Sequence, residues 1–297
     1  MHYHQLGSSA LHISEISFGS MSLTPQHPGP AAVLHQAIDM GINFFDTADL
    51  YDKGWNETML GKALLPKRKG IMIATKAGNV WNEDGKSWSW DPSKKHILSA
   101  TEKSLQRLQT DYIDLLQLHG GTIDDPIDEV IEAFEQLKQE GKIRYYGISS
   151  IRPDVIREYV QRSAITSVML QYSLLDRRPE ETCLPLLREK GIGVLARGSI
   201  ARGLLAGKPS TSYLGYTAGE VKQAAAAIKK VAGNKTAAQT ATQFALNHPA
   251  VTSVVAGIRT PAQLAEAAGI SEATPLQPEI YRQLQNVLPV NYYETHR

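Results

Sequence analysis

The chain has 297 residues, 42% of them hydrophobic and 21% charged, enough apolar material for a sizeable core. Its 31 basic and 30 acidic residues leave a net charge of +1, which argues against a nucleic-acid or anionic-membrane partner. The one cysteine, Cys183, excludes an internal disulfide framework and points to a reducing, cytoplasmic setting, and no apolar run reaches the ~20 residues needed to span a bilayer.

In chain order, residues 1–13 predict a short hairpin turned at Gly7-Ser8, with no signal-peptide pattern. The apolar run Ile13 to Phe18 predicts a strand ending at Gly19. After the breaker His27 to Pro30, an amphipathic helix is expected over residues 31–40. Ile42 to Phe45 is short, aromatic and β-branched, the pattern of a buried strand. Asp46, Asp49 and Tyr51 follow it, before a helix that runs to Leu64. A second buried strand, from Gly70, runs into Lys76, and residues 77–92 are expected to be a loop carrying Trp81, Trp88 and Trp90. A helix starts at Asp91-Pro92-Ser93.

The strand 112–118 ends in His119. A helix over 126–140, a strand over 142–148 ending at Ser149-Ser150, a helix over 153–161 and a strand over 167–172 succeed one another. A helix over 179–190 stops at Gly191, and a strand runs over 192–196. A glycine-rich loop occupies 197–219, then two alanine-rich helices, a strand over 253–256, and helices over 261–268 and 278–288. About eight strand–helix units without a dividing linker predict one (β/α)8 TIM barrel domain over residues 1–297, with an N-terminal hairpin and extra helices. An open doubly wound sheet is the alternative. The segment Gly191 to Ala196 fits the dinucleotide fingerprint G-x-G-x-x-A, but its glycines follow a helix and lead into a strand, the reverse of what that fingerprint needs.

Asp46, Lys76 and His119 stand at strand ends, with Tyr51 just beyond the first, and a barrel brings such ends to one face. A free tyrosine, with a pKa near 10, is a poor acid at neutrality. A neighbouring lysine ammonium favours the phenolate, a carboxylate keeps that lysine charged, and a histidine can donate to a substrate oxygen. Such a set suits protonation of an oxygen that gains charge as hydride arrives. No His/Asp/Glu cluster shows metal-ligand spacing, so no metal is expected.

The stretches INFFDTADLYDKGWNE, ATK and YIDLLQLH, with SLLDRRPEE, RGLLAGK and GIRTPAQLAE further on, resemble the aldo-keto reductases over nearly the whole chain. The resemblance implies a barrel that reduces small carbonyl compounds with NADPH. By position Tyr51 would be the general acid, Asp46 and Lys76 its tuners and His119 the orienting group, with Trp81 and Trp88 joining Tyr51 and His119 around the substrate. Implied cofactor contacts are Gly19, Ser20 and Met21 after the first barrel strand; Asp46, Ser149, Met169, Gln171 and Arg197 at strand ends; and Gly198, Ser199, Ala201, Gly203, Leu204 and Lys208 in the long loop. Gly257, Arg259, Gln263 and Glu266 fall where the family grips the 2′-phosphate and adenine. The chain departs from the family at Ser150 and Met169, where Asn and Gln usually bond the carboxamide, at Ala267, where Asn usually meets adenine, and at Arg197, where Tyr usually stacks on the nicotinamide. The family also resembles potassium-channel β-subunits, so a cofactor-binding regulator is the second functional reading.

Overall fold

A computed structural model describes residues 1–297. Strands β1 (Tyr3–Gln5) and β2 (His12–Ser14) pair antiparallel as the N-terminal hairpin. The barrel follows: β3 (Ile16–Gly19), β4 (Phe44–Asp46), β5 (Met72–Ala77), β8 (Ile113–Leu118), β9 (Ile143–Ser149), β10 (Ser167–Gln171), β11 (Gly193–Arg197) and β12 (Val251–Gly257). These eight strands are all parallel and close on themselves, β12 pairing with β3, so the open-sheet alternative is excluded. Helices α1 (Pro30–Asp39), α2 (Trp55–Leu64), α3 (Lys94–Leu108), α4 (Ile127–Gln139), α5 (Pro153–Arg162), α6 (Cys183–Glu189), α8 (Ala237–Leu246) and α9 (Pro261–Ala268) ring the barrel. The extra helices are α7 (Ala218–Val231), before α8, and α10 (Pro278–Gln285).

Two apolar cores result from side chains alternating across each strand. The larger lies between strands and helices, where Ile73, Leu116, Ile148 and Val194 meet α-helical residues such as Leu60, Leu105 and Phe134. The smaller fills the barrel itself: Phe44, Ala74, Leu115, Met169, Leu195 and Val255 from the strands, closed below by Leu6, Leu11 and Ile13 of the hairpin. Two residues further along three of those strands, on the same inward face, stand Asp46, Lys76 and Gln117.

Three expected elements differ in detail. The run Ile13 to Phe18 is divided, because Ile13 belongs to the hairpin and Ile16 onward to the barrel. The helix expected over 179–190 is a 3-10 turn at Arg178–Glu180 and then α6, with Thr182 between them at φ −137°. The tryptophan loop is a hairpin of β6 (Asn79–Trp81) and β7 (Trp88–Trp90), whose turn contains Asp84-Gly85, a pair suited to hairpin turns.

Of the two fingerprint-like glycines, Gly193 has a packing role and Gly191 faces open space at φ 64°. A Cβ on Gly193 would lie 2.6 Å from Leu6 Cδ1 and 2.8 Å from Gly7 N, so only glycine lets the hairpin seal the barrel floor. Gly193→Ala should therefore cost ~1–3 kcal/mol, the scale of overpacking. Thermal or denaturant unfolding checks this, and a variant as stable as the parent contradicts the role.

Candidate active site

Residues at the carboxyl ends of the barrel strands open into a cavity of about 1110 Å³. Tyr51, Lys76 and His119 line it, together with Met21, Trp81, Trp88, Ser149, Met169 and Arg197. Asp46 is buried next to Lys76. The strand-end residues are thus brought together as expected, although they span 152 positions of sequence from Asp46 to Arg197 only through closure of the sheet.

Lys76 Nζ donates to both oxygens of Asp46, at 2.7 and 2.8 Å, and to the Thr47 carbonyl at 2.7 Å. It also lies 5.2 Å from the centroid of the Tyr51 ring. Burial pulls the lysine pKa down, but Asp46 and then Tyr51 outweigh it, and the ammonium is held above its ordinary value. Burial pushes the Asp46 carboxyl up against the pull of Lys76, yet a carboxylate accepting twice from one ammonium has the geometry of a charged pair. Gln117 Nε2 also donates to Asp46 Oδ1, at 3.5 Å.

The His119 ring meets the Tyr51 ring edge to face, with centroids 5.9 Å apart. Burial first, then the charges of Lys76 and Arg197, push the His119 pKa down to about 3. The imidazole is consequently neutral near neutrality, able to hydrogen-bond but without an acidic proton to release. Its Nδ1 is buried without a partner. In the unfolded chain this histidine titrates near 6.5. The unfolded state therefore binds the proton first as pH falls, so stability attributable to His119 is complete above 6.5 and is lost progressively toward 3. His119→Gln should flatten the acid limb of stability in that window, measured by denaturant titration at several pH values; an unaltered limb contradicts it.

The remaining expected residues surround this centre. Ser20 is buried, its hydroxyl 2.6 Å from both the Asp46 carbonyl and Asn56 Oδ1. Met21 is 64% exposed at the cavity rim. Gln171 donates to Asp176 (2.7 Å) and Tyr213 (3.0 Å), and accepts from Arg197 Nη1 at 3.2 Å. Gly198 has φ 74°, and Ser199 shares a hydrogen bond with Thr242. Ala201 is buried at φ 46°, and Leu204 is buried beside it. Gly203 has φ 95°, and the Lys208 stem passes 2.8 Å from where its Cβ would be, so a side chain there would displace the lysine. Gly257 faces open space. Arg259 is exposed just ahead of α9, where its backbone N–H donates to the Gln263 side chain at 2.9 Å; Glu266 lies further along that helix.

Several residues of this region escaped the sequence reading. Asn56 ties two loops together, accepting from Thr47 and donating to the carbonyls of Ser20 and Leu23. Asp49 has a buried oxygen without a partner, and burial first, then Glu57, push its carboxyl up to about 8. Gln117 had a visible signal: a polar residue in an apolar strand, two positions before His119 and thus on its face. Arg152 also lines the cavity, and so does Trp90, which the sequence already places in the tryptophan segment.

The model of the Aldo/keto reductase family matches residues 15–289. The chain belongs to the aldo/keto reductase family, a family of oxidoreductases. It is 49% identical over 306 residues to the uncharacterized oxidoreductase YqkF of Bacillus subtilis (strain 168), covering 100% of both chains. It is similar to the holo form of aldo-keto reductase AKR11C1 from Bacillus halodurans, with a TM-score of 0.95 and 49% identity over 100% of this chain and 99% of that one. The glycerol dehydrogenase AKR11B4 of Gluconobacter oxydans is more distant in sequence, at 26% identity, but its TM-score is 0.87, with 99% of this chain and 98% of that one covered. Within this family the cavity is the natural seat of chemistry, at the end of the barrel where active sites of the fold lie.

Proposed function

We propose that the protein reduces aldehydes or ketones to alcohols with NADPH, and that Tyr51 is the general acid. The observation that carries this reading is the buried Asp46–Lys76 pair beside Tyr51, at a cavity that His119 also lines. Bound NADPH supplies the hydride that adds to the carbonyl carbon. The oxygen then gains negative charge and takes the Tyr51 proton, and solvent later restores it. Lys76 stabilises charge developing on the phenol oxygen, and Asp46 keeps the ammonium charged and pointed. Neutral His119 donates to the carbonyl oxygen and orients it. A regulatory role resembling that of potassium-channel β-subunits has no feature of its own in its favour.

The donor set suits the cofactor. Arg259 makes no ion pair within the chain and stands by the amino end of α9, where a phosphate meets a guanidinium and helix amides together. Open space at Gly257 leaves room beside it. Gly19 and Met21 are assigned to the same side, Ser149, Met169 and Gln171 to the nicotinamide end, and the segment Gly198 to Lys208 to the pyrophosphate. Arg197 has a planar cation at the ring position, which favours the neutral reduced ring over the cationic oxidised one.

Fluorescence titration with NADPH and NADH tests the phosphate assignment. Arg259→Ala should weaken NADPH and leave NADH nearly unchanged, by the ~1.5–3 kcal/mol of a charge-assisted hydrogen bond. Equal losses for both cofactors would make Arg259 structural.

A further inference from the structure

The cavity carries more positive charge than carbonyl reduction requires. Lys76 is neutralised by Asp46, but Lys53, Arg152 and Arg197 line the same space, and none forms an ion pair with a carboxylate of the chain. Arg197 is engaged by Gln171. Lys53 reaches over the Trp81 ring at 5.4 Å, from a backbone in which Asp52 and Lys53 both hold left-handed φ values of 46° and 56°. Arg152 is the cation that the fold holds in place.

Arg152 stands at the amino end of α5, half-buried. Its Nη1 donates to the Gly121 carbonyl at 2.5 Å, and that is the only hydrogen bond its guanidinium makes to the protein. Gly121 follows His119 by two residues, and Gly120 and Gly121 have φ of 134° and 117°, so only glycine lets the chain present this carbonyl beside the cavity. The nearby carboxylates are already committed. Asp125 accepts from the Trp90 indole at 2.9 Å and from the Thr122 amide and hydroxyl. Asp154 accepts from Val155 N at 2.7 Å, with His296 3.6 Å away. A partly desolvated guanidinium with most of its five donors free is matched to a planar or tetrahedral oxyanion. The rim has one carboxylate of its own, Asp52, which is exposed.

We propose that the site takes carbonyl compounds bearing a second, anionic group, a carboxylate or a phosphate, and that Arg152 receives that group. The proposal rests on the carbonyl-reductase reading above and narrows its substrate class. Trp81 and Trp88, edge to face with centroids 5.7 Å apart, wall the apolar part of the same cavity.

Two matched pairs of aldehydes test it with NADPH: succinic semialdehyde against butanal, and glyceraldehyde phosphate against glyceraldehyde. The parent enzyme should favour the anionic member of one pair by about tenfold or more in kcat/KM, the scale of a charge-assisted hydrogen bond. The preferred pair tells carboxylate from phosphate. Arg152→Met should bring that ratio close to one, and Arg152→Lys, which keeps charge without the fork, should retain part of it. Using the ratio removes any loss of folded enzyme common to both substrates. A parent ratio near one in both pairs overturns the proposal, as does a preference that survives in Arg152→Met. A drop in NADPH affinity in Arg152→Met with an unchanged ratio assigns the arginine to the cofactor and also overturns it. If neutral aldehydes are reduced without preference, this proposal alone fails; if no aldehyde is reduced, the reductase reading fails and takes it down as well.

Discussion

Tyr51→Phe should lower the rate of carbonyl reduction by ~10²–10⁴-fold, the usual contribution of a positioned general acid. The substitution removes one oxygen and leaves the ring, so the edge-to-face contact with His119 and the contact with Lys76 persist. His119 cannot take over, because a histidine with its pKa near 3 is neutral at pH 7 and its remaining N–H donates a hydrogen bond but is far too weak an acid to transfer its proton. Affinity for NADPH should change little. Steady-state rates combined with cofactor titration separate the two effects. Turnover close to that of the parent would remove Tyr51 from the mechanism, and a large loss of NADPH affinity would make it a binding residue.

Lys76→Met should be damaging in two ways. Lys76 is 1% exposed and Asp46 4%, so the methionine leaves a carboxylate in a dry site without its ammonium. Breaking a buried pair from one side costs about 3–5 kcal/mol. The rate should fall as well, since charge on the Tyr51 oxygen loses its stabilising cation. The double variant Lys76→Met with Asp46→Asn separates these effects, because it removes the unpaired charge without restoring the ammonium. Stability should return in large part in the double variant, and activity should not. Denaturant unfolding and initial rates on both variants check this. A single variant as stable as the parent would show that the pair contributes nothing to the fold. Recovery of activity in the double variant would show that the ammonium is not needed.

Much of this site was legible because barrel chemistry is written at strand ends. Asp46, Lys76 and His119 each interrupt or close an apolar run, and parallel strands all end at one face. Their mutual distances were not legible, since they depend on closure between β12 and β3, whose residues lie more than two hundred positions apart. The hairpin at Trp81 and Trp88 looks like a loop in sequence because three-residue strands carry little periodic signal, although Asp84-Gly85 marks the turn. In the sequence Asn56 marks only the opening of the helix that runs to Leu64; its buried hydrogen bonds join loops distant in sequence, which no local pattern reports. Arg152 carries no signal in the sequence, lying one residue ahead of the helix expected from 153, and only the fold brings it to Gly121 beside His119. Gly193 carries a real signal of close approach, but the approaching group is the hairpin floor and not a pyrophosphate, and Gly191 answers only to its positive φ of 64° after a helix.

In the proposed reaction, hydride passes to a carbonyl carbon at this cavity while Tyr51 protonates the oxygen. The most direct measurement is a single turnover: the enzyme loaded with NADPH deuterated at its transferable position is mixed with an aldehyde. Absorbance of the reduced nicotinamide is followed in time, and the alcohol is analysed by mass spectrometry. The expected result is stoichiometric loss of the reduced cofactor, deuterium on the carbinol carbon, and a much slower single turnover in Tyr51→Phe. Tight NADPH binding with no oxidation by any aldehyde or ketone, as a regulatory cofactor-binding subunit would behave, would contradict it.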